Sequence, residues 1–193
     1  MYILFEGVDT CGKTTQIELL KEEYKDALFT KEPGATELGK KIREIILHQG
    51  LNSKRAEMFL FLADRAEHFE EVIKPNPDKT VISDRGFVSG IAYHLANKNE
   101  DEFDFLIKLN LFALKNTLPD KIVLFKTDPL LIKERLKGKK EDKIEQRGIE
   151  YLIKVQNMME KIIKKLKIDH IIIDSSKEIK EINKIIKGYV FHD

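Results

Sequence analysis

Gly7-Val8-Asp9-Thr10-Cys11-Gly12-Lys13-Thr14 is a full G-x-x-x-x-G-K-[ST] phosphate-binding loop. It follows a short apolar run, Tyr2-Ile3-Leu4-Phe5, and precedes a helical pattern over 14–24. That is the strand–loop–helix setting such a loop needs. The two glycines let the backbone wrap an anion in conformations that a Cβ would obstruct. Successive N–H groups and the positive end of the next helix then face the phosphates. Lys13 is placed to reach the β- and γ-phosphates, and the Thr14 hydroxyl to ligate Mg²⁺. The stretch from Gly7 to Thr15 is therefore the expected nucleoside triphosphate site.

Further along the chain, short β-branched or aromatic runs recur at 2–6, 27–30, 80–84, 121–126 and 170–174. Helical patterns lie between them, at 37–48, 53–74, 89–97, 102–115, 129–137 and 148–166, with a last one at 178–187. Strands alternating with helices predict an α/β fold, a five-stranded parallel sheet with helices on both faces. Pro75 and Pro77 end the long helix before the third strand. No repeat or linker interrupts the pattern, so the 193 residues are expected to form a single domain, 1–193. Residues 138–148 are polar and lysine-rich; they read as a flap or as a plain solvated loop.

The helix at 103–114 is unusual. Phe103, Phe105, Leu106, Ile107, Leu109, Leu111, Phe112, Ala113 and Leu114 leave it almost no polar face. A helix apolar all round is covered on more than one side, either in mid-core or at a subunit interface. We read it as the interface of a homodimer.

Charge narrows the search for partners. Basic and acidic residues number 34 and 33, for a net charge of +1, so there is no general attraction to nucleic acid or to an anionic membrane. Only six of the 34 basic residues are arginines: Arg43, Arg55, Arg65, Arg85, Arg135 and Arg147. A planar fork for phosphate is available at few places. The single cysteine, Cys11, excludes an internal disulfide and fits a reducing compartment. No apolar run has the length of a membrane span, and the chain opens directly on the first strand; it reads as cytoplasmic. His48, His68, His94, His170 and His192 have no metal-ligand spacing.

A second anchor is Val81-Ile82-Ser83-Asp84-Arg85. An Asp at the carboxyl edge of a parallel strand is where nucleotide-bound Mg²⁺ is held through water. Arg85 beside it can fork onto a phosphate.

With this anchor the sequence resembles the thymidylate kinases. The carrying residues are Phe5-Glu6-Gly7 with Val8-Asp9, then Thr30-Lys31-Glu32-Pro33-Gly34-Ala35-Thr36, then Ile42-Arg43. Phe59-Leu60-Phe61-Leu62-Ala63-Asp64-Arg65 follows, and then Asp84-Arg85 with Ser89-Gly90-Ile91-Ala92-Tyr93. The second half matches more loosely, through Asp142-Lys143-Ile144-Glu145 and Asp174-Ser175-Ser176. The resemblance implies MgATP and dTMP as substrates. It also implies a set of roles. Asp9 meets the acceptor's 3′-hydroxyl and orients the phosphate-gripping arginine; Phe61 stacks on the thymine and Arg65 donates to its O4 edge. Pro33 lines the base pocket, with Glu32 near the transferred phosphate and magnesium. Arg43 and Arg85 grip the acceptor phosphate, Tyr93 lies under C2′ of the sugar, and Ser89 adds a polar contact near the base. Arg135 packs on the adenine.

The chain departs from the family pattern in places. The loop has Thr10 rather than arginine, Lys143 stands in the flap where arginine is frequent, and Gly86 replaces the usual aromatic after Asp-Arg. A lysine neutralises charge but cannot fork. By residue type alone, Phe61 in its apolar helix stretch is by default a core phenylalanine; the alternatives for the others are core filling at Tyr93 and solvated helix arginines at Arg43, Arg65 and Arg135. A kinase of another small phosphorylated acceptor, a switch ATPase and a dimeric scaffold of weak activity remain as rival readings.

Overall fold

The computed structural model describes residues 1–96, 100–137 and 147–191. Five parallel strands form one sheet in the order β2-β3-β1-β4-β5. They are β1 (Tyr2–Glu6), β2 (Leu28–Lys31), β3 (Val81–Asp84), β4 (Lys121–Lys126) and β5 (Asp169–Asp174). The alternation read from the sequence is borne out, with boundaries shifted by only a few residues. All five β1 residues are buried, as expected of a central strand covered on both faces. Register carries Phe5 beside Asp84 on one side and beside Val123 on the other.

The helices are α1 (Lys13–Glu23), α2 (Glu37–Glu44), α3 (Lys54–His68), α4 (Phe87–Leu95), α5 (Phe103–Ala113), α6 (Pro129–Leu136), α7 (Ile149–Leu166) and α8 (Ile179–Val190). One π-helical turn extends α2 over Ile45–Gln49 and another extends α3 over Phe69–Ile73. Helices α1 and α8 pack on each other, while α3, α4, α5 and α7 form a second group. Side-chain caps set the starts of three helices: Thr36 accepts from Gly39 N, Ser53 from Ala56 N, and Asp128 from Leu130 N and Leu131 N, just before Pro129.

The chain passes from β1 to β2 and β3 on one side, then crosses to β4 on the other. Beside β1 this leaves a crevice at the carboxyl edge of the sheet, the usual ligand position in an open parallel sheet. The phosphate-binding loop and Arg85 both emerge there.

Helix α5 is not in mid-core. Phe103, Leu106 and Asn110 are buried, but Phe105 and Phe112 are exposed, by 56% and 84%. Phe59, on the neighbouring α3, is also exposed. Among the described residues no helix is long and apolar enough to cross a membrane.

Candidate active site

The phosphate-binding loop is shaped by its glycines and its neighbours. Gly7 has φ +150°, and a Cβ there would lie 2.8 Å from both Phe125 O and Cys11 Sγ. Gly12 caps α1 at φ 95° and offers no side-chain acceptor, so the first N–H groups of the helix stay free for an anion. Gly7 and Val8 act inward, their carbonyls holding Lys13 Nζ at 3.0 and 3.1 Å. Cys11 is buried, its Sγ 3.5 Å from the same ammonium.

Above this loop opens a cleft of about 610 Å³. Its lining includes Asp9 through Gln16, Asp84, Arg85 and Arg135. Arg135 is no free helix arginine. Nη1 donates to Thr10 O and Nη2 to Ser175 O, both at 2.9 Å, which pins a flat cation across the cleft. Gln16, which the sequence reading passed over, is fixed by bonds to Ile179 O and Asn183. Among the described residues no group of three His, Cys, Asp or Glu side chains could hold a metal ion. Asp84 Oδ1 is nevertheless buried with no hydrogen-bond partner among the described residues, and Asp84 lines the same cleft as Thr14. That donor set fits a Mg²⁺ ion whose other ligands are phosphate oxygens and water.

A narrower cleft adjoins the first and is lined by Pro33, Phe61, Arg65, Ser89, Gly90 and Tyr93, among others. Asp9, Glu32, Arg43 and Arg85 line both clefts. Phe61 is half-buried and lies outside the main core cluster. Arg43 sits against the Pro33–Gly34 turn, with Nη1 donating to Pro33 O at 3.0 Å.

Arg85 occupies the left-handed region at φ 70°, a strain of about 1–2 kcal/mol for a residue with a Cβ. Its backbone N–H donates to Phe5 O, and its carbonyl accepts from Ser83 Oγ. Its guanidinium reaches Gly7 O, Ser89 Oγ and Asp9 Oδ1. Burial alone would pull its pKa down; Asp9, with Tyr93, Asp84 and Glu6, outweighs that and keeps it charged. Leu4 Cδ2 lies 2.8 Å from where a Cβ of Gly86 would stand, so a side chain at 86 would require the Leu4 methyls to shift.

Ser89 also holds Glu6, a residue that the sequence reading quoted but gave no role. It donates its N–H and its hydroxyl to the two oxygens of buried Glu6. Burial pushes the Glu6 carboxyl up, against the pull of the Ser89 bonds and the charges of Arg85 and Lys13.

Behind the narrow cleft lies a buried charge cluster. Arg65 Nε donates to Glu32 Oε2 at 2.9 Å, and His68 Nδ1 meets Glu32 Oε1 at 2.8 Å. Both oxygens of Glu32 are thus committed, and it acts as counter-ion to Arg65. Burial would raise its pKa, but Arg65 and His68 hold it below the ordinary range. Asp64 accepts from Gly34 N at 2.9 Å, and its Oδ2 has no partner among the described residues; burial and the nearby Glu32 push its carboxyl up to about 6. Asp64 and Asn110 were not singled out from sequence, and His68 was noted only as lacking metal-ligand spacing. The stretch at 59–65 points to Phe61 and Arg65 themselves, not to the groups that hold Arg65.

Lys143 lies outside the described residues. Arg147, near the end of the 138–148 stretch, bonds Tyr151 Oη and Glu57, facing a separate cleft against α3.

A phosphate-binding loop on a 2-3-1-4-5 parallel sheet, with a second cleft joined to it through two arginines, defines a P-loop nucleoside monophosphate kinase. The thymidylate kinase family matches this chain over residues 5–186. The thymidylate kinase of Sulfurovum sp. (strain NBC37-1) is 55% identical over 190 residues, 98% of this chain and 99% of that protein. Those of Aliarcobacter butzleri and Campylobacter concisus are 53% and 50% identical, with 98% of each chain covered. The chain belongs to the thymidylate kinase family.

Proposed function

We propose that this chain transfers the γ-phosphoryl group of MgATP to dTMP, giving ADP and dTDP on the route to dTTP. The observation that carries this reading is the shared wall of the two clefts, where Asp9, Glu32, Arg43 and Arg85 line both. Two anionic substrates can meet there only where forked cations offset their charge.

In this reading ATP lies in the larger cleft. Its phosphates follow the loop from Gly7 to Thr15, and its adenine lies on the Arg135 plane. The dTMP base enters between Phe61 and Pro33 with its O4 edge toward Arg65, its sugar over Tyr93 and near Asp9. Arg43 and Arg85 hold its phosphate. An oxygen of that phosphate forms the new bond to the γ-phosphorus while the bond to the β,γ-bridging oxygen breaks and ADP leaves. The attacking oxygen is already anionic, so no general base is needed. Lys13 and Arg85 neutralise charge spread over the transferring group, and their fixed placement supplies the rest. Thr14 and Asp84 are the residues suited to hold Mg²⁺, which when bound supplies further charge neutralisation on the phosphates. Lys143 is the proposed flap cation. We place the protein in the cytoplasm as a homodimer of single-domain subunits, supported by exposed Phe105 and Phe112 on α5.

The test is ADP production with MgATP and each common nucleoside monophosphate, alongside a control without acceptor. Strong dependence on dTMP, with less from dUMP and little from the others, is expected. Another preferred acceptor overturns the base-pocket roles, and turnover in the control alone overturns the kinase reading.

A further inference from the structure

Arg65 is 2% exposed, and a buried guanidinium has to be held on every edge that does not face its ligand. Glu32 takes Nε on one side. On the other, Nη1 donates to Asn110 Oδ1 at 2.6 Å. Asn110 is 4% exposed on α5, and its Nδ2 donates to Leu106 O at 2.7 Å. A backbone carbonyl can only accept and a guanidinium can only donate. The amide is therefore locked in one orientation, its oxygen toward Arg65.

The remaining edge of the guanidinium faces Gly90, in the wall of the narrow cleft. A Cβ at position 90 would stand 3.2 Å from Arg65 Nη2 and 3.4 Å from Nη1. Without a side chain there, the open edge of the fork is presented to the cleft.

We propose that Asn110 is a positioning residue for acceptor recognition: it fixes the rotation of the Arg65 guanidinium so that Nη2 points at the 4-carbonyl of the pyrimidine. This rests on the reading of Arg65 as the base-edge donor. Glu32 alone fixes one point of a planar group; Asn110 supplies the second point and so sets its plane. A misaimed donor loses most of a directional bond, so the effect falls on acceptors that carry the 4-carbonyl and not on the rest of the reaction.

The experiment compares dTMP with its analogue lacking the 4-oxo group (the 5-methyl-2-pyrimidinone deoxyribonucleoside monophosphate) in wild type, Asn110→Leu, Asn110→Asp and Arg65→Gln. Asn110→Leu keeps the branched shape and heavy-atom count and removes the acceptor. It is expected to raise KM for dTMP about tenfold, the size of one well-aimed hydrogen bond to a charged donor, with KM for ATP unchanged and the analogue affected less than about twofold. Asn110→Asp keeps an oxygen toward Arg65 and should retain most of the preference for dTMP. If Asn110→Leu fails to fold, Asn110→Ser, whose hydroxyl is too short to reach Arg65, replaces it. Equal losses on dTMP and the analogue, or none on either, overturn the proposal. If Arg65→Gln separates the two acceptors and Asn110→Leu does not, only the role of Asn110 fails. If Arg65→Gln does not separate them, the base-edge reading of Arg65 fails as well.

Discussion

Arg85 Nη2 donates to Asp9 Oδ1 at 2.8 Å while Nη1 of the same guanidinium donates to Gly7 O at 2.6 Å. One side chain at the end of β3 thereby clasps two residues of the phosphate-binding loop that follows β1. It is a cation of the wall between the clefts and also a brace for the donor loop. The left-handed backbone at Arg85 places the side chain there, and its local strain is offset by the bonds it permits.

Arg85→Ala should therefore lower kcat and raise KM for dTMP together, with kcat/KM falling by about a thousandfold, the usual scale for losing a group that stabilises transition-state charge. Arg85→Lys, which restores charge but not the fork, should recover only part of it. Steady-state kinetics at saturating ATP and at saturating dTMP separate the effects. A change confined to KM for ATP would remove Arg85 from the acceptor side.

Lys13 makes a sharper test of the loop. Its ammonium is held by the carbonyls of Gly7 and Val8, contacts too local to carry the fold. Lys13→Ala should lose turnover by about a thousandfold or more while keeping a wild-type circular dichroism spectrum and melting temperature. A folded variant with full activity would take the loop out of the mechanism.

Asp64 gives a prediction for stability rather than rate. Its carboxyl is pushed up to about 6 from an ordinary 3.8, so between those values the folded state binds more proton than the unfolded one. Stability from this group is then lost as pH rises from about 4 to about 6, and the charged form remains a burden above that. Asp64→Asn has no such dependence. Its stability relative to wild type should improve by about 1–2 kcal/mol on going from pH 5 to pH 8, from linkage at about 1.4 kcal/mol per pKa unit. Urea unfolding at the two pH values measures it, and an equal difference at both would show that Asp64 does not titrate in this way.

Much of this architecture is legible in the sequence, for identifiable reasons. The loop Gly7–Thr14, the apolar runs and the prolines after α3 are local signals, and local signals fix strands and helices to within a few residues. Arg43, Arg65, Arg85, Phe61 and Tyr93 were found through motifs, and the structure brings all five to the narrow cleft. What sequence did not show is pairing across distance. Glu6 meets Ser89 83 residues away, and Asn110 meets Arg65 45 residues away; no spacing rule joins them. Asn110 was further hidden because its helix reads as apolar, and one polar residue in such a run carries no pattern of its own. Glu32 was read as lying near the transferred phosphate. It does line both clefts, but its oxygens are taken by Arg65 and His68, partners that only the fold could supply.

Tyr93 offers a test of sugar discrimination. Its ring lies 5.6 Å from the Arg85 guanidinium carbon and 6.2 Å from the Tyr151 ring, so it is held by its faces. Its hydroxyl, by contrast, is buried and has no hydrogen-bond partner among the described residues, and burial pushes its pKa well above the ordinary value. Ring and hydroxyl should therefore separate experimentally. Tyr93→Phe removes an unsatisfied polar atom and should leave stability equal or raise it by about 1 kcal/mol. If the ring crowds C2′, that variant should still prefer dTMP over the ribose analogue 5-methyluridine monophosphate. Tyr93→Ala removes the ring and should narrow the ratio of kcat/KM values for the two acceptors by about tenfold, the scale of a single steric contact in a pocket. Acceptor kinetics with the two nucleotides decide it. A ratio unchanged in Tyr93→Ala would assign the ring to packing against Tyr151, and a ratio already lost in Tyr93→Phe would assign the discrimination to the hydroxyl.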